Sequence, residues 1–117
     1  MQDNNIINDR LQLIAEGIAT IERYCIDIKG KDDFLKTPET QKTLDAVMMP
    51  LQAIGENMKK IETLEPGFFI DKTGYDVTPV IRFRDFISHH YEKLDHEIIF
   101  EIIYSEIPIL KSKLKEL

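Results

Sequence analysis

The sequence contains no tryptophan, one cysteine, five glycines and five prolines among its 117 residues. Because Cys25 has no second cysteine to pair with, an internal disulfide is excluded, and nothing requires an oxidising compartment. The apolar runs are too short to span a bilayer, and the first ten residues lack the basic and apolar regions of a signal peptide. These absences predict a cytoplasmic protein with no membrane-bound segment.

Positive charge is also in short supply. Lys and Arg number 15 against 21 Asp and Glu, which gives a net charge of -6 and a pI near 5.0. This balance argues against a protein that wraps nucleic acid by bulk electrostatics, and no DNA-binding role is predicted, but a local cationic site is compatible with it. The composition, 43% hydrophobic and 31% charged, is that of a globular chain, and its length predicts one domain over residues 1–117.

Helical periodicity is the strongest pattern that is present. In the first part of the chain, apolar residues recur at alternating steps of four and three, which is typical of one helix face, and Gly30 is expected to stop this helix. The opposite face is charged, includes Arg10, and is expected to meet solvent. The apolar stripe consists of Ile7, Leu11, Ile14, Ile18, Ile21, Cys25 and Ile28.

A second helix is predicted to begin at Thr37, whose side chain can cap the free backbone N–H groups, with Pro38 in the first turn. Pro50 lies within this helix and is expected to kink or interrupt it. The following stretch EPGFFIDKTGYD is rich in turn residues and predicts a loop. The stripe of this second helix consists of Leu44, Val47, Leu51, Ile54, Met58 and Ile61.

Two more helices complete the prediction. The third opens at Thr78 as cap with Pro79 in its first turn, and the fourth starts near Asp95, with Pro108 expected to bend it. No segment alternates with a period of two for long enough to make a strand. The predicted fold class is all-α, an antiparallel up-and-down four-helix bundle. The three-four spacing of the first two helices also fits a dimer seam, although a core seam is more common.

The short stretch RDFISHHY, residues 84–91, gathers titratable and aromatic groups. On a helix, Arg84 and Tyr91 lie two turns apart on nearly one face, and Asp85 precedes His89 by one turn, where its carboxylate can orient the imidazole. Arginine can bind phosphate, histidine can move a proton of a ribose hydroxyl or of a leaving oxygen, and tyrosine can contact phosphate or stack on a base. The set suits phosphodiester cleavage without a metal, although a polar helix face that only meets solvent is the more common meaning of such a pattern.

This stretch resembles the Arg-x4-His-x-Tyr motif of HepT-like proteins, the toxin-type ribonucleases of the HEPN superfamily. Residues 32–61, DDFLKTPETQKTLDAVMMPLQAIGENMKKI, are similar to the second-helix region of that family. Residues 91–110, YEKLDHEIIFEIIYSEIPIL, are similar to its final helix. The resemblance covers nearly the whole chain and implies a HEPN-like helical fold.

Carried over by position, the resemblance implies that Arg84 and His89 are catalytic, that Asp85 is the polar residue after the motif arginine, and that Tyr91 is the site of modification. It implies a metal-independent endoribonuclease without a cofactor, which acts as a homodimer with the two motifs facing each other. Such a protein would be the toxin of a toxin–antitoxin system. Its partner would be a minimal nucleotidyltransferase antitoxin that neutralises it by transferring AMP to Tyr91.

Two other functions stay open. One is a non-catalytic helical subunit that pairs with a nucleotidyltransferase and helps to bind its substrate, which the acidic pI fits well. The other is a family member that dimerises but has lost activity. The intact set of Arg84, His89 and Tyr91 favours the ribonuclease, because a pure binding module has no need to keep all three.

Three further residues carry expectations of their own. Gly55 lacks a side chain and can allow a neighbouring helix to approach closely, and Glu56 is then expected to pair with an arginine such as Arg82 or Arg84. Cys25 continues an apolar stripe, so it is predicted to be a core residue and not a nucleophile.

Overall fold

In the computed structural model, the backbone is described for residues 2–90 and 95–117, and side chains for residues 3–87 and 95–117. Every regular element in this part of the chain is helical, which confirms the predicted all-α class. None of these helices is long and apolar enough to cross a membrane. The elements are α1 (Gln2–Tyr24), a 3-10 helix (Lys31–Leu35), α2 (Pro38–Leu64), α3 (Phe68–Thr73), α4 (Thr78–His90), α5 (His96–Glu101), a π-helical turn (Ile102–Glu106) and α6 (Ile107–Leu114).

Helix α1 packs along α2 and supplies one side of the core. The predicted stripe is buried from Ile7 to Ile28, with Leu11 half-buried against the core. The helix ends at Tyr24, earlier than predicted. A turn closed by the Ile28 N–H, which donates to the Cys25 carbonyl at 2.9 Å, keeps both side chains inside. The apolar spacing therefore continues beyond the end of the helix that it predicted.

Helix α2 begins as predicted. The Thr37 hydroxyl accepts a hydrogen bond from the Thr40 N–H at 3.1 Å, and Pro38 occupies the first turn, where its missing donor costs nothing. Pro50 lies inside the helix, and α2 continues through it without a break. The predicted stripe is buried, with Leu44 only half-buried.

The prediction of a loop after α2 is wrong in part, because α3 lies within it. Its ends are marked by Gly67 and Gly74, whose φ angles of 83° and 76° fall in the left-handed region. The Glu62 carboxylate accepts hydrogen bonds from the N–H groups of Gly67 and Phe68, at 2.8 and 3.2 Å. Phe68 and Phe69 are buried edge to face, so this single short helix adds two aromatic rings to the core.

The prediction that Thr78 caps α4 is also wrong. The Asp76 carboxylate, and not Thr78, accepts at this helix start, since it takes a hydrogen bond from the Thr78 N–H at 2.9 Å. The fourth predicted helix starts near Asp95, as expected: α5 begins at His96, and Asp95 caps it with a carboxylate that accepts from the Glu97 N–H at 2.8 Å. That helix changes to the π-helical turn, which ends two residues before Pro108. Proline has no N–H to donate, and its ring crowds a regular helix.

Candidate active site

The close approach of α4 to α2 positions Arg84. A Cβ atom added to Gly55 would lie 2.5 Å from the Arg84 Cβ and 3.2 Å from the Val80 carbonyl oxygen, distances that no larger residue could accommodate without a shift. The Arg84 stem therefore lies directly on the α2 backbone, and 23% of the side chain is exposed. The expectation that Gly55 permits a close helix contact is confirmed.

Two carboxylates pair with the guanidinium of Arg84. Arg84 Nη1 lies 3.0 Å from Asp85 Oδ1, and Arg84 Nη2 lies 3.9 Å from Glu56 Oε1, so the predicted pairing of Glu56 with an arginine is confirmed for Arg84. Lys59 Nζ lies 3.8 Å from the same Asp85 oxygen. The two carboxylate side chains are more than 40% exposed, so solvent screens these pairs and they orient the arginine more than they stabilise the fold.

A groove opens beside Arg84 between α1, α2 and α4. Its volume is about 470 Å³, within the ~300–1,000 Å³ usual for ligand clefts. Of the residues that the structure describes, four cationic side chains and a single carboxylate line it, in a chain whose net charge is -6. We name it the Arg10–Arg84 groove. Its lining includes Ile6 and Arg10 from α1, Glu56, Lys59, Lys60 and Leu64 from α2, and Arg84 from α4.

The placement of Arg10 differs from the expectation that its helix face meets only solvent. Arg10 is half-buried, and its Nη1 donates to the Asn57 Oδ1 at 3.1 Å. Asn57 is 8% exposed, and its own Nδ2 donates to the Ala53 carbonyl at 2.9 Å. One signal in the sequence points to this pair: Asn57 is a polar residue three after Ile54 and four before Ile61, on the buried side of α2.

The other two motif residues, His89 and Tyr91, lie partly or wholly outside the described residues. His89 belongs to α4 by its backbone, while its side chain is outside the described residues. Tyr91 lies outside the described residues altogether. The expected contact of Asp85 with His89 and the expected direction of Tyr91 therefore stay predictions. Within residues 3–87 and 95–117, no cluster of His, Cys, Asp or Glu is arranged to hold a metal ion.

Cys25 is a core residue, as predicted. It is 6% exposed, and burial raises the pKa of its thiol to about 11. Because the thiolate is the nucleophilic form, this environment keeps the side chain inert near neutral pH.

The fold and the site define a small all-helical protein with an oriented arginine beside a cationic groove. A family model described as ribonuclease HepT-like matches residues 14–117, which is most of the chain. The chain therefore belongs to the HepT-like ribonuclease family.

Two relatives are similar in sequence. A protein of Thermococcus cleftensis that is named as a ribonuclease HepT is 34% identical over 112 residues, which cover 93% of each chain. A protein of Methanocaldococcus jannaschii that is named as an RNase is 39% identical over 80 residues, which cover 66% of this chain and 59% of the relative. No solved structure matches the chain significantly.

Proposed function

We propose that this protein is an endoribonuclease that cleaves RNA without a metal, and that Arg84 and His89 carry the reaction. The observation that supports this most directly is the fixed position of the Arg84 guanidinium, which is held against α2 at Gly55 and lies at one end of a cationic groove. A guanidinium in a fixed orientation suits phosphate, because its N–H groups match two phosphate oxygens at once.

The reaction follows from these groups. His89 takes the proton of a ribose 2'-hydroxyl, whose oxygen then attacks the adjacent phosphorus. Arg84 stabilises the negative charge that builds on the phosphate oxygens as the bond to the 5'-oxygen breaks. A protonated histidine returns a proton to the leaving 5'-oxygen, and the products are a 2',3'-cyclic phosphate and a 5'-hydroxyl. Asp85 orients the imidazole of His89, as its position one turn earlier predicts.

The test compares variants of one helix. Arg84→Ala and His89→Ala are each expected to lower cleavage of a long RNA at least 100-fold, the size of loss that follows removal of a general base or of a group that stabilises the transition state. Arg82→Ala is the matched control, since Arg82 is an exposed arginine on the same helix. All three should keep the helical circular dichroism, and wild-type cleavage should survive EDTA. A requirement for a divalent metal would overturn the mechanism.

The assembly is part of the same proposal. We propose that α1, α2, α4 and the α5–α6 segment form an antiparallel four-helix bundle, and that two bundles pair about a two-fold axis with α4 near the contact. Exposed apolar side chains on α1 and α4 support this, among them Leu13 and Phe86 at 45% and 36% exposure. The pairing would bring the two motifs together, so that His89 of the second protomer could be the protonated histidine of the reaction. Light scattering at micromolar concentration should give the mass of a dimer, and a monomer alone would count against it.

Control by modification completes the proposal. A cognate minimal nucleotidyltransferase antitoxin would transfer AMP from ATP to the Tyr91 hydroxyl and release pyrophosphate. The added phosphate would compete with RNA for Arg84, because both bring negative charge to the same guanidinium. Intact mass after incubation with partner and ATP should rise by AMP units in the wild type and not in Tyr91→Phe. Equal labelling of both would place the modification elsewhere.

These experiments also distinguish the ribonuclease from the alternative function, a non-catalytic partner subunit of a nucleotidyltransferase. If the folded wild type leaves every RNA intact but still binds a nucleotidyltransferase, the protein is the non-catalytic partner subunit. Loss of growth inhibition in His89→Ala would instead support the ribonuclease toxin.

A further inference from the structure

We propose that the Arg10–Arg84 groove binds an RNA backbone phosphate next to the one that is cleaved, with Arg10 and Lys60 as its contacts. The inference rests on the proposed function, which places the cleaved phosphate at Arg84. The RNA strand would then run from Arg84 along the groove toward α1. It adds a binding site on α1 and α2, outside the motif helix.

Arg10 is prepared for such a contact. Its hydrogen bond to Asn57 uses one of the five N–H donors of a guanidinium. Among the described residues the other donors have no partner, so they can face the groove that Arg10 lines. Asn57 cannot rotate freely, because its Nδ2 is bonded to the Ala53 carbonyl. The acceptor oxygen therefore stays directed at α1, and Arg10 is held in one orientation before any ligand arrives. Less conformational freedom is then lost on binding.

The charge of the groove favours a polyanion. The described residues of its lining carry four cations and one carboxylate, a net charge of +3, while the whole chain carries -6. Lys59 and Arg84 are engaged near Asp85, which puts their charge at the motif end of the groove. Lys60 is exposed and lines the same groove from α2. The cations thus extend from the motif toward α1.

Apolar side chains share the groove with these cations. Ile6 is 41% exposed and Leu64 is 38% exposed, and both line it. Aliphatic surface beside a guanidinium suits a nucleotide, since a ribose or a base can pack on it while the phosphate meets the charge. A single-stranded RNA segment therefore fits the groove better than a free phosphate ion does.

The direct test measures binding of a 12-nucleotide 2'-O-methyl RNA, which has no free 2'-hydroxyl and is not cleaved, by fluorescence anisotropy. Lys60→Ala and Arg10→Ala should each raise Kd about fivefold at 0.1 M salt, and each should reduce the slope of log Kd against log salt by about 0.7, the value for one contact to a single strand. Lys42→Ala is the matched control. It removes the same charge from an exposed position of α2, 18 residues earlier and about 27 Å away along the helix.

The variant Asn57→Leu, alone and combined with Arg10→Ala, tests whether Asn57 positions Arg10. Asn57→Leu removes the acceptor but keeps an apolar side chain of similar size in the buried site, and it should weaken RNA binding as Arg10→Ala does. Because both changes affect one contact, the pair should weaken binding no more than either alone. A merely structural role for Asn57 would lower the melting temperature and leave the salt slope unchanged.

The outcomes separate this site from the proposed function. Loss of cleavage in Arg84→Ala together with unchanged binding in Lys60→Ala and Arg10→Ala would overturn the groove and leave the ribonuclease intact. If RNA binding depends on Lys60 but the protein cleaves no RNA, the groove is an RNA-binding site and the proposed ribonuclease activity is wrong. Equal weakening by Lys60→Ala and Lys42→Ala would reduce the effect to bulk charge. A changed oligomeric state with unchanged RNA affinity would assign the groove to contact between protomers.

Discussion

At the scale of single residues, Gly55 sets the position of Arg84, the arginine proposed to bind phosphate. Gly55→Ala would gain about 1 kcal/mol of helix propensity, but the new methyl group would meet the Arg84 Cβ at 2.5 Å. That atom is fixed to the α4 backbone, so relief requires a shift of the helix, and overpacking of this kind costs about 1–3 kcal/mol. We expect a lower melting temperature and at least a tenfold loss of RNA cleavage, measured by calorimetry and by initial rates.

Gly30→Ala is the control for this substitution. A Cβ there would have no neighbour within 4 Å, and the backbone at Gly30 is extended, with φ at -143°. Stability should therefore change by less than about 0.5 kcal/mol, as for most surface substitutions. If Gly55→Ala behaves like this control, the close contact does not fix Arg84.

How much of the site could be predicted depends on the distance along the chain. The pairing of Glu56 with Arg84 followed from the small residue at Gly55, since a glycine within a helix commonly marks a close approach. The bond between Arg10 and Asn57 was missed, because it joins residues 47 positions apart. Its formation depends on the angle at which α1 crosses α2, which helical periodicity does not fix.

At the scale of elements, a hydrogen bond ties the segment before α4 to the π-helical turn Ile102–Glu106. The Tyr75 hydroxyl donates to Glu106 Oε2 at 2.9 Å, and the tyrosine is buried. Tyr75→Phe should lower the free energy of unfolding by about 1–1.5 kcal/mol at neutral pH, because only this bond is lost. Urea denaturation measures the change, with Tyr24→Phe, a tyrosine that is 44% exposed, as control.

The same tyrosine predicts a pH dependence. Burial, assisted by the Glu106 carboxylate, raises the pKa of Tyr75 well above its ordinary value of 10.0. The unfolded chain therefore ionises first, so this contribution to stability is fully present below about pH 10 and is lost as the pH rises above it. Between pH 9 and 11, the unfolding free energy of wild type should fall more steeply than that of Tyr75→Phe. Parallel curves would show that Tyr75 ionises as easily in the folded state.

The elements differ in how well the sequence predicted them. The long helices α1 and α2 followed from their apolar period, which many residues repeat. Helix α3 was missed because it is six residues long and lies between two glycines, so turn residues dominate the local composition. The turn from Ile102 to Glu106 was predicted only as a bend at Pro108, because the sequence does not state how a helix will accommodate a proline.

At the scale of the whole molecule, the single thiol reports on the core. Since burial raises the pKa of Cys25 to about 11, the thiolate fraction at pH 8 is about 100-fold lower than at an ordinary thiol with a pKa of 9.0. Alkylation of the native protein should be slower than that of the unfolded chain in urea by at least this factor. The measurement is intact mass against time, with one added group expected in urea. Rapid labelling of the native protein would mean that the core opens often.

The contact between Gly55 and Arg84 also has a genetic consequence. A methyl group at position 55 could be accommodated by a glycine at position 84, but that change removes the guanidinium on which the proposed cleavage depends. The nearest contact of Gly55 therefore offers no intragenic suppressor. In a selection for cells that tolerate expression of the active protein, inactive alleles at codon 55 should recur, and activity should return through reversion of that codon and not through a second change at codon 84.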